Sequence, residues 1–332
     1  MTLASISNAY GTSLVVSTFG ARLVELMFRD KAGTVENIVL GYDSEEAYQE
    51  NPDGYFGATV GRVAGRLALA RFIGGGLDFP TVANEGTTHL HGGPDRALDR
   101  VEWEILPSTS ADTISFQYLS PAGVEGYPGN LEVTSSYQLT SQDELVFELK
   151  ARTDAPTPVN LVNHAYLNLS GNARRSIVEH ELVINAATIL DTDVDLLPRG
   201  GVISVAGTAY DFREKRQIGE ALPASGSEPW PGIDSTYVRN NSSDFAAILS
   251  DSVSGRVVKV NTTEPTLQVY TGNRIPVGPG RSGAPHGPGK GICLEAHRVP
   301  DSPALPEWPS IVIEPSSDYY QRTVWSLSTA SN

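Results

Sequence analysis

The sequence predicts an all-β protein built as a large antiparallel β-sandwich, and three observations carry that prediction. Apolar and polar residues alternate with period two along many stretches, as strands with one buried face require. Turn-forming clusters separate those stretches at short intervals. No segment of a dozen residues or more has a clear 3.6-residue apolar period, which speaks against a doubly wound α/β fold.

Along the chain, the first local signal is a short helix over Ser44 to Tyr48, with Ser44 as N-cap and Glu45 and Glu46 near the positive end of the helix dipole. Strands follow. Val101, Trp103 and Ile105 alternate with Glu102 and Glu104; Ile114, Phe116 and Tyr118 with Ser115 and Gln117; Leu131, Val133, Tyr137 and Leu139 with Glu132, Thr134 and Gln138. Turns are expected at Pro107–Ser110, Ala122-Gly123, Gly126–Gly129 and Ser141–Glu144.

Two later strands are unusual. In Asn163–Leu169 a strand reading puts His164, Tyr166 and Asn168 on one face and Ala165, Leu167 and Leu169 on the other. In Ile292–His297 the polar face is Cys293, Glu295 and His297, opposite Ile292, Leu294 and Ala296. A carboxylate on an otherwise apolar strand is costly to bury, so Glu295 should have hydrogen-bond partners or a raised pKa, the condition that suits a general base near neutrality. Structural hydrogen bonding inside the sandwich is the alternative for either stripe. The Gly- and Pro-rich stretch from Pro276 to Gly291 reads as a surface loop. It holds a literal GxGxxG, Gly278 to Gly283, but prolines flank it where a dinucleotide site needs a strand and a helix.

Composition bounds the remaining choices. Of 332 residues 40% are hydrophobic and 19% charged, enough to bury a large core, and 32 Gly with 22 Pro disfavour long helices. No linker or repeat divides the chain, so residues 1–332 read as a single domain. The balance of 24 basic against 39 acidic side chains, a net charge of −15, argues against nucleic acid and anionic membranes as partners. Cys293 is the lone cysteine, so no intramolecular disulfide can form and a reducing, cytoplasmic setting is expected. The six histidines contain no HExxH pair, and no metal site is indicated.

Taken together the segments resemble the aldose 1-epimerase (galactose mutarotase) family nearly end to end. Phe56–Arg66 is similar to the family's glycine–arginine segment, and Asn84 through Leu90-His91-Gly92-Gly93 to its LHGG segment. Gly126–Leu131, Asn163-His164, Asp211-Phe212-Arg213, Gly232-Ile233-Asp234, Gln268–Asn273, Leu294-Glu295 and Pro300-Asp301-Ser302-Pro303 follow in the family's order. The resemblance implies a β-supersandwich with a sugar cleft on one sheet. It also implies an isomerase that interconverts α and β anomers without cofactor or metal, with His164 as general acid and Glu295 as general base. Arg66, His91 and Asp234 fall on sugar-contacting positions, with Asn84, Gln268 and Tyr166 as further substrate-binding candidates. The implied partner is a small-molecule sugar or hemiacetal, bound by a monomer or weak homodimer.

The chain also departs from the family beside these positions. Gly65 stands where asparagine usually precedes the arginine, Ser235-Thr236 where His-Asn is usual, and Ala296-His297 where Thr-Gln follows the glutamate. Pro198-Arg199-Gly200-Gly201 replaces Pro-Thr-Gly-Glu, and Leu167 replaces a common phenylalanine. These changes suggest retained ring-opening chemistry on a non-hexose or natural-product lactol as an alternative. A non-catalytic carbohydrate-binding protein is the second alternative.

Overall fold

The computed structural model of the chain describes residues 1–108, 110–222, 232–240, 244–300 and 308–330. The Asp301-Ser302-Pro303 match and Thr109 of the first expected turn lie outside the described residues. Among those described, two antiparallel sheets dominate. The larger has nine strands in the order 104–106, 113–120, 131–139, 144–153, 319–329, 256–262, 247–250, 181–184 and 216–217. The smaller has six, in the order 166–167, 292–297, 266–270, 234–239, 186–192 and 198–204. A four-stranded sheet made by residues 3–37 and several two-residue ladders complete the framework.

The alternation read from the sequence is the alternation of burial. Along Leu131–Leu139 every odd-numbered residue is buried and every even-numbered one half-buried. The main core fills the space between the sheets: Phe116, Tyr137, Phe147, Leu149 and Trp325 from the larger meet Tyr237, Leu267, Val269, Leu294 and Ala296 from the smaller. Burying such side chains contributes about 1.5–3 kcal/mol each, and their apolar faces set which face of each strand is left for other use.

The short helix forms over Glu45–Glu50, with the Ser44 hydroxyl accepting from the Ala47 amide. The stretch from Pro276 to Gly291 is more ordered than a surface loop. Gly278-Pro279 pairs with Pro285-His286, and the buried His286 ring stacks on Phe56 with centroids 4.7 Å apart. Arg281 Nε reaches Glu25 at 2.9 Å. Composition alone hid this packing, because its partners are more than two hundred residues away in sequence.

The first polar stripe, Asn163–Leu169, also differs from a continuous strand. Val162-Asn163 pairs with Thr59-Val60, and Tyr166-Leu167 joins the six-stranded sheet beside Cys293-Ile292. His164 lies between, its amide donating to the Ala58 carbonyl and its carbonyl accepting from the Gly57 amide. Its backbone is therefore satisfied outside the sheet, as burial demands. Asn168 turns away from the stripe and donates to the Arg175 and Lys290 carbonyls.

Candidate active site

A cleft of about 540 Å³ opens over the polar face of the six-stranded sheet. Its lining includes all eight residues singled out from the sequence: Arg66, Asn84, His91, His164, Tyr166, Asp234, Gln268 and Glu295. The register of the sheet beneath it sets three rows. Asp234, Tyr270, Cys293 and Tyr166 form the first, Thr236, Gln268 and Glu295 the second, and Val238, Thr266 and His297 the third.

Glu295 and His164 face each other across the first two rows, with Nε2 to Oε1 at 3.6 Å and both side chains about 95% buried. Burial, helped by the nearby Asp234 charge and opposed by Arg66, pushes the Glu295 carboxyl up to about 8. Burial pulls the His164 imidazole down to about 4. Between those values the pair therefore holds one proton. The other ring nitrogen of His164, Nδ1, contacts Cys293 Sγ at 3.5 Å. Tyr55 and Tyr166 pack against the same ring, with centroids 5.5 and 5.0 Å away.

The walls come from loops that the sheet alone would not bring here. Arg66 and His91 meet because Arg66-Leu67 pairs with His89-Leu90. His91 accepts at Nδ1 from the Gly65 amide at 3.1 Å, while its own amide donates to the Gly65 carbonyl. An accepting Nδ1 leaves the proton of the neutral ring on Nε2, and burial first, then the His164 and Arg66 charges, keep this ring neutral. The LHGG segment reaches this position through Gly92, at φ +93°, where a Cβ would sit 1.9 Å from the Gly61 carbonyl oxygen.

Arg66 is held by Glu85 in a bidentate pair at 2.6 and 3.0 Å, and Arg274 reaches the same carboxylate at 3.1 Å. Arg62, in the same glycine–arginine segment, acts away from the cleft, where its guanidinium donates to the Ser120, Pro121, Pro128 and Gly129 carbonyls and fixes the turn there. Gln268 bridges Thr236 and Asp234, accepting from the Thr236 hydroxyl and donating to Asp234 Oδ1, each at 2.5 Å. Asn84 exchanges hydrogen bonds with both backbone groups of Leu90. The amides of these two residues thus brace neighbours of the cleft, and both residues line it. Sequence reasoning missed Glu85, Tyr55 and Arg274; nothing local marks them, since each acts through a partner far along the chain.

Among the described residues, His164, Cys293 and Glu295 are the one set of ligand-type side chains close enough to suggest an ion, with one ligand atom from each within 4.8 Å. Yet sulfur and carboxylate sit at opposite ring nitrogens, whose lone pairs diverge. That geometry suits proton transfer through the ring better than a shared metal.

Two further differences from the family pattern have a physical basis. At Gly65, φ +84°, a Cβ would lie 2.7 Å from Pro300 Cγ, so proline fills the space that a larger side chain would take. Thr236, in place of asparagine, gives its hydroxyl to Gln268.

Comparison with known proteins agrees with this architecture. The family model described as aldose 1-epimerase matches residues 2–326. The galactose mutarotase of Bos taurus is 37% identical over 319 residues, covering 95% of this chain and 91% of the relative. The aldose 1-epimerase of Escherichia coli K12 is 33% identical over 331 residues, covering 98% and 94%. Among solved structures, an aldose epimerase homologue from C. elegans superposes with a TM-score of 0.91 at 26% identity, covering 99% of both chains. A galactose 1-epimerase from Lactobacillus acidophilus does so at 0.83 and 27%, covering both chains completely.

Proposed function

We propose, since the chain belongs to the aldose 1-epimerase family, that its cleft interconverts the α and β anomers of an aldose with His164 as general acid and Glu295 as general base. One observation carries the assignment: a buried imidazole and a buried carboxyl face each other at 3.6 Å, and burial leaves the pair with a single proton, on Glu295, across neutral pH.

Anomer exchange asks for that arrangement. The pair rests with its proton on Glu295, the group with the higher value, and reacts from the tautomer in which that proton has moved to His164: the Glu295 carboxylate takes the proton of the C1 hydroxyl while His164 Nε2 delivers one to the ring oxygen, and the C1–O5 bond breaks to leave an aldehyde. Rotation about C1–C2 presents the other carbonyl face. The O5 hydroxyl then attacks C1, returning its proton to His164, and Glu295 protonates the carbonyl oxygen. The pair begins and ends with one proton, so both directions run equally well, and each positioned group typically contributes ~10²–10⁴-fold. His91, donating from Nε2, and the Arg66 guanidinium hold sugar oxygens; Asp234 accepts from hydroxyls, oriented by Gln268. Tyr166 packs the His164 ring, Asn84 braces the His91 segment, and Cys293 contacts Nδ1.

The altered surroundings at Gly65, Ser235 and Thr236 favour a second reading in which the preferred hemiacetal is neither glucose nor galactose. We also assign a cytoplasmic location and a monomer or weak homodimer, without nucleic-acid or membrane partners, on the lone buried Cys293 and the net charge of −15. Among the described residues no helix is long and apolar enough to cross a membrane.

Polarimetry of freshly dissolved α-glucose and α-galactose tests the proposal. Accelerated relaxation by the native chain, reduced about 10²-fold or more in His164→Asn, supports it. A folded His164→Asn variant with native turnover would remove His164 from the mechanism. A native chain that binds these sugars without accelerating relaxation would be a binding protein for them.

A further inference from the structure

His164 is held at both ring nitrogens, and the mechanism uses one of them. Nε2 faces Glu295 at 3.6 Å, while Nδ1, on the far side of the ring, lies 3.5 Å from Cys293 Sγ. The rings of Tyr55, Tyr166, Tyr270 and His91 enclose the imidazole, with centroids 5.0–6.4 Å away. The other acceptor on the Nδ1 side is the residue's own carbonyl, to which the Gly57 amide already donates.

Both contacts come from one strand. Cys293 and Glu295 are two residues apart on the same face, ~6.6 Å along the strand, and the imidazole lies between them with one nitrogen toward each. A half-turn of the ring about its Cβ–Cγ bond would put carbons where the two nitrogens stand. The sulfur and the carboxyl together therefore select one ring orientation.

The chemistry then fixes what Nδ1 carries. At rest Glu295 holds the pair's proton and the imidazole is neutral, with a single N–H. To react, Nε2 takes that proton from Glu295 and passes it to the ring oxygen. It can do so only if Nδ1 keeps the other hydrogen throughout, because a ring protonated on Nε2 alone would be left as imidazolate after the transfer. Nδ1 is thus a donor at every stage and needs an acceptor. Burial first, then the Glu295 and Asp234 charges, hold the Cys293 thiol well above its ordinary value. The sulfur is therefore a neutral thiol, a weak acceptor that does not strip Nδ1 of its hydrogen.

Resting on the anomerase reading, we propose that Cys293 is a positioning residue whose sulfur accepts from His164 Nδ1–H and so leaves Nε2 open to receive and deliver the proton of the reaction. It touches no substrate. Its effect is on the fraction of molecules that hold His164 in the working tautomer and orientation.

The test follows mutarotation of galactose and glucose by polarimetry, with the uncatalysed rate subtracted, in the full native chain and its variants. The tautomer of His164 is read at pH 7 from two-bond proton–nitrogen correlations of protein carrying labelled histidine, its signals identified by their loss in His164→Asn. In the native chain Nδ1 is expected to be the protonated nitrogen. Cys293→Ala and Cys293→Val both remove the acceptor, the second without leaving a cavity. Each is expected to lower kcat about three- to tenfold with KM changed less than about twofold, and to bring the Nε2-protonated ring into the spectrum. Cys293→Ser keeps an acceptor in nearly the same volume and is expected to regain most of the native kcat. A native ring protonated on Nε2 overturns the inference, as does a folded Ala or Val variant with native kcat, or a folded Ser variant no faster than Ala; each leaves the anomerase reading intact. A native chain that accelerates relaxation of neither hexose overturns the anomerase reading, and the catalytic role of Cys293 with it.

Discussion

Replacing Glu295 by glutamine should remove activity and, at alkaline pH, stabilise the protein. In the native fold the carboxyl titrates at about 8 against an ordinary value of 4.5, chiefly because its charged form has been taken out of water. The folded state therefore binds this proton more tightly than the unfolded chain does, and the sign follows: the contribution is fully present below pH 4.5 and is lost as pH rises through 8. Each pH unit across that window costs about 1.4 kcal/mol, so a native chain at pH 9 stands up to about 5 kcal/mol below the stability it would have with a permanently neutral group there. Glutamine is such a group, similar in shape and never charged. Denaturant unfolding at pH 5, 7 and 9 measures the effect. Glu295→Gln and the native chain should unfold at similar midpoints at pH 5, and the variant's advantage should grow by several kcal/mol toward pH 9. Turnover should fall by at least 10²-fold throughout. A difference that is independent of pH, or that shrinks as pH rises, would refute the claim that desolvation sets the state of this carboxyl.

The pH profile of kcat/KM should be a bell with limbs near 4 and 8: below the lower value both groups of the pair are protonated and no base remains, and above the upper neither can supply a proton. A flat profile across pH 5–10 would contradict the shared proton. Glu85→Gln should raise KM about three- to tenfold with a smaller change in kcat, because it weakens the bidentate hold on Arg66 without touching the reacting groups; steady-state kinetics on the preferred sugar decides this. Gly92→Ala should destabilise the fold by about 2 kcal/mol or more, since the added Cβ meets the Gly61 carbonyl at a positive φ, and a variant with an unchanged melting point would disprove that constraint.

Much of this was legible in the sequence, and the reason is periodicity. Alternation along Leu131–Leu139 and Ile292–His297 identified the core faces, and with them the exceptional carboxylate of Glu295. The stripe at His164 and Tyr166 was found for the same reason, although its strand is interrupted. Asn168 was lost from it because two carbonyls, Arg175 and Lys290, claim its amide. What alternation could not supply was contact between distant segments. Pro300 over Gly65, Glu85 on Arg274 and His286 on Phe56 each join residues nearly two hundred or more positions apart, with no periodic trace of the pairing. The resemblance that made Asn84 a substrate-binding candidate carried no sign of its hydrogen bonds to both backbone groups of Leu90, which the fold adds.

The strand from Ile292 to His297 is committed on both faces, with Leu294 and Ala296 sealed between the sheets and Glu295 and His297 lining the cleft on the other face, beside the buried Cys293. A single inserted or deleted residue just ahead of it would exchange the two populations, driving a carboxylate into hydrocarbon and a leucine into the cleft. Neither half can be repaired alone. Length variation that arises near this segment during divergence must therefore be absorbed in the preceding Gly- and Pro-rich stretch before the strand begins. The same division marks where an engineer can lengthen this protein and where only side chains can be changed.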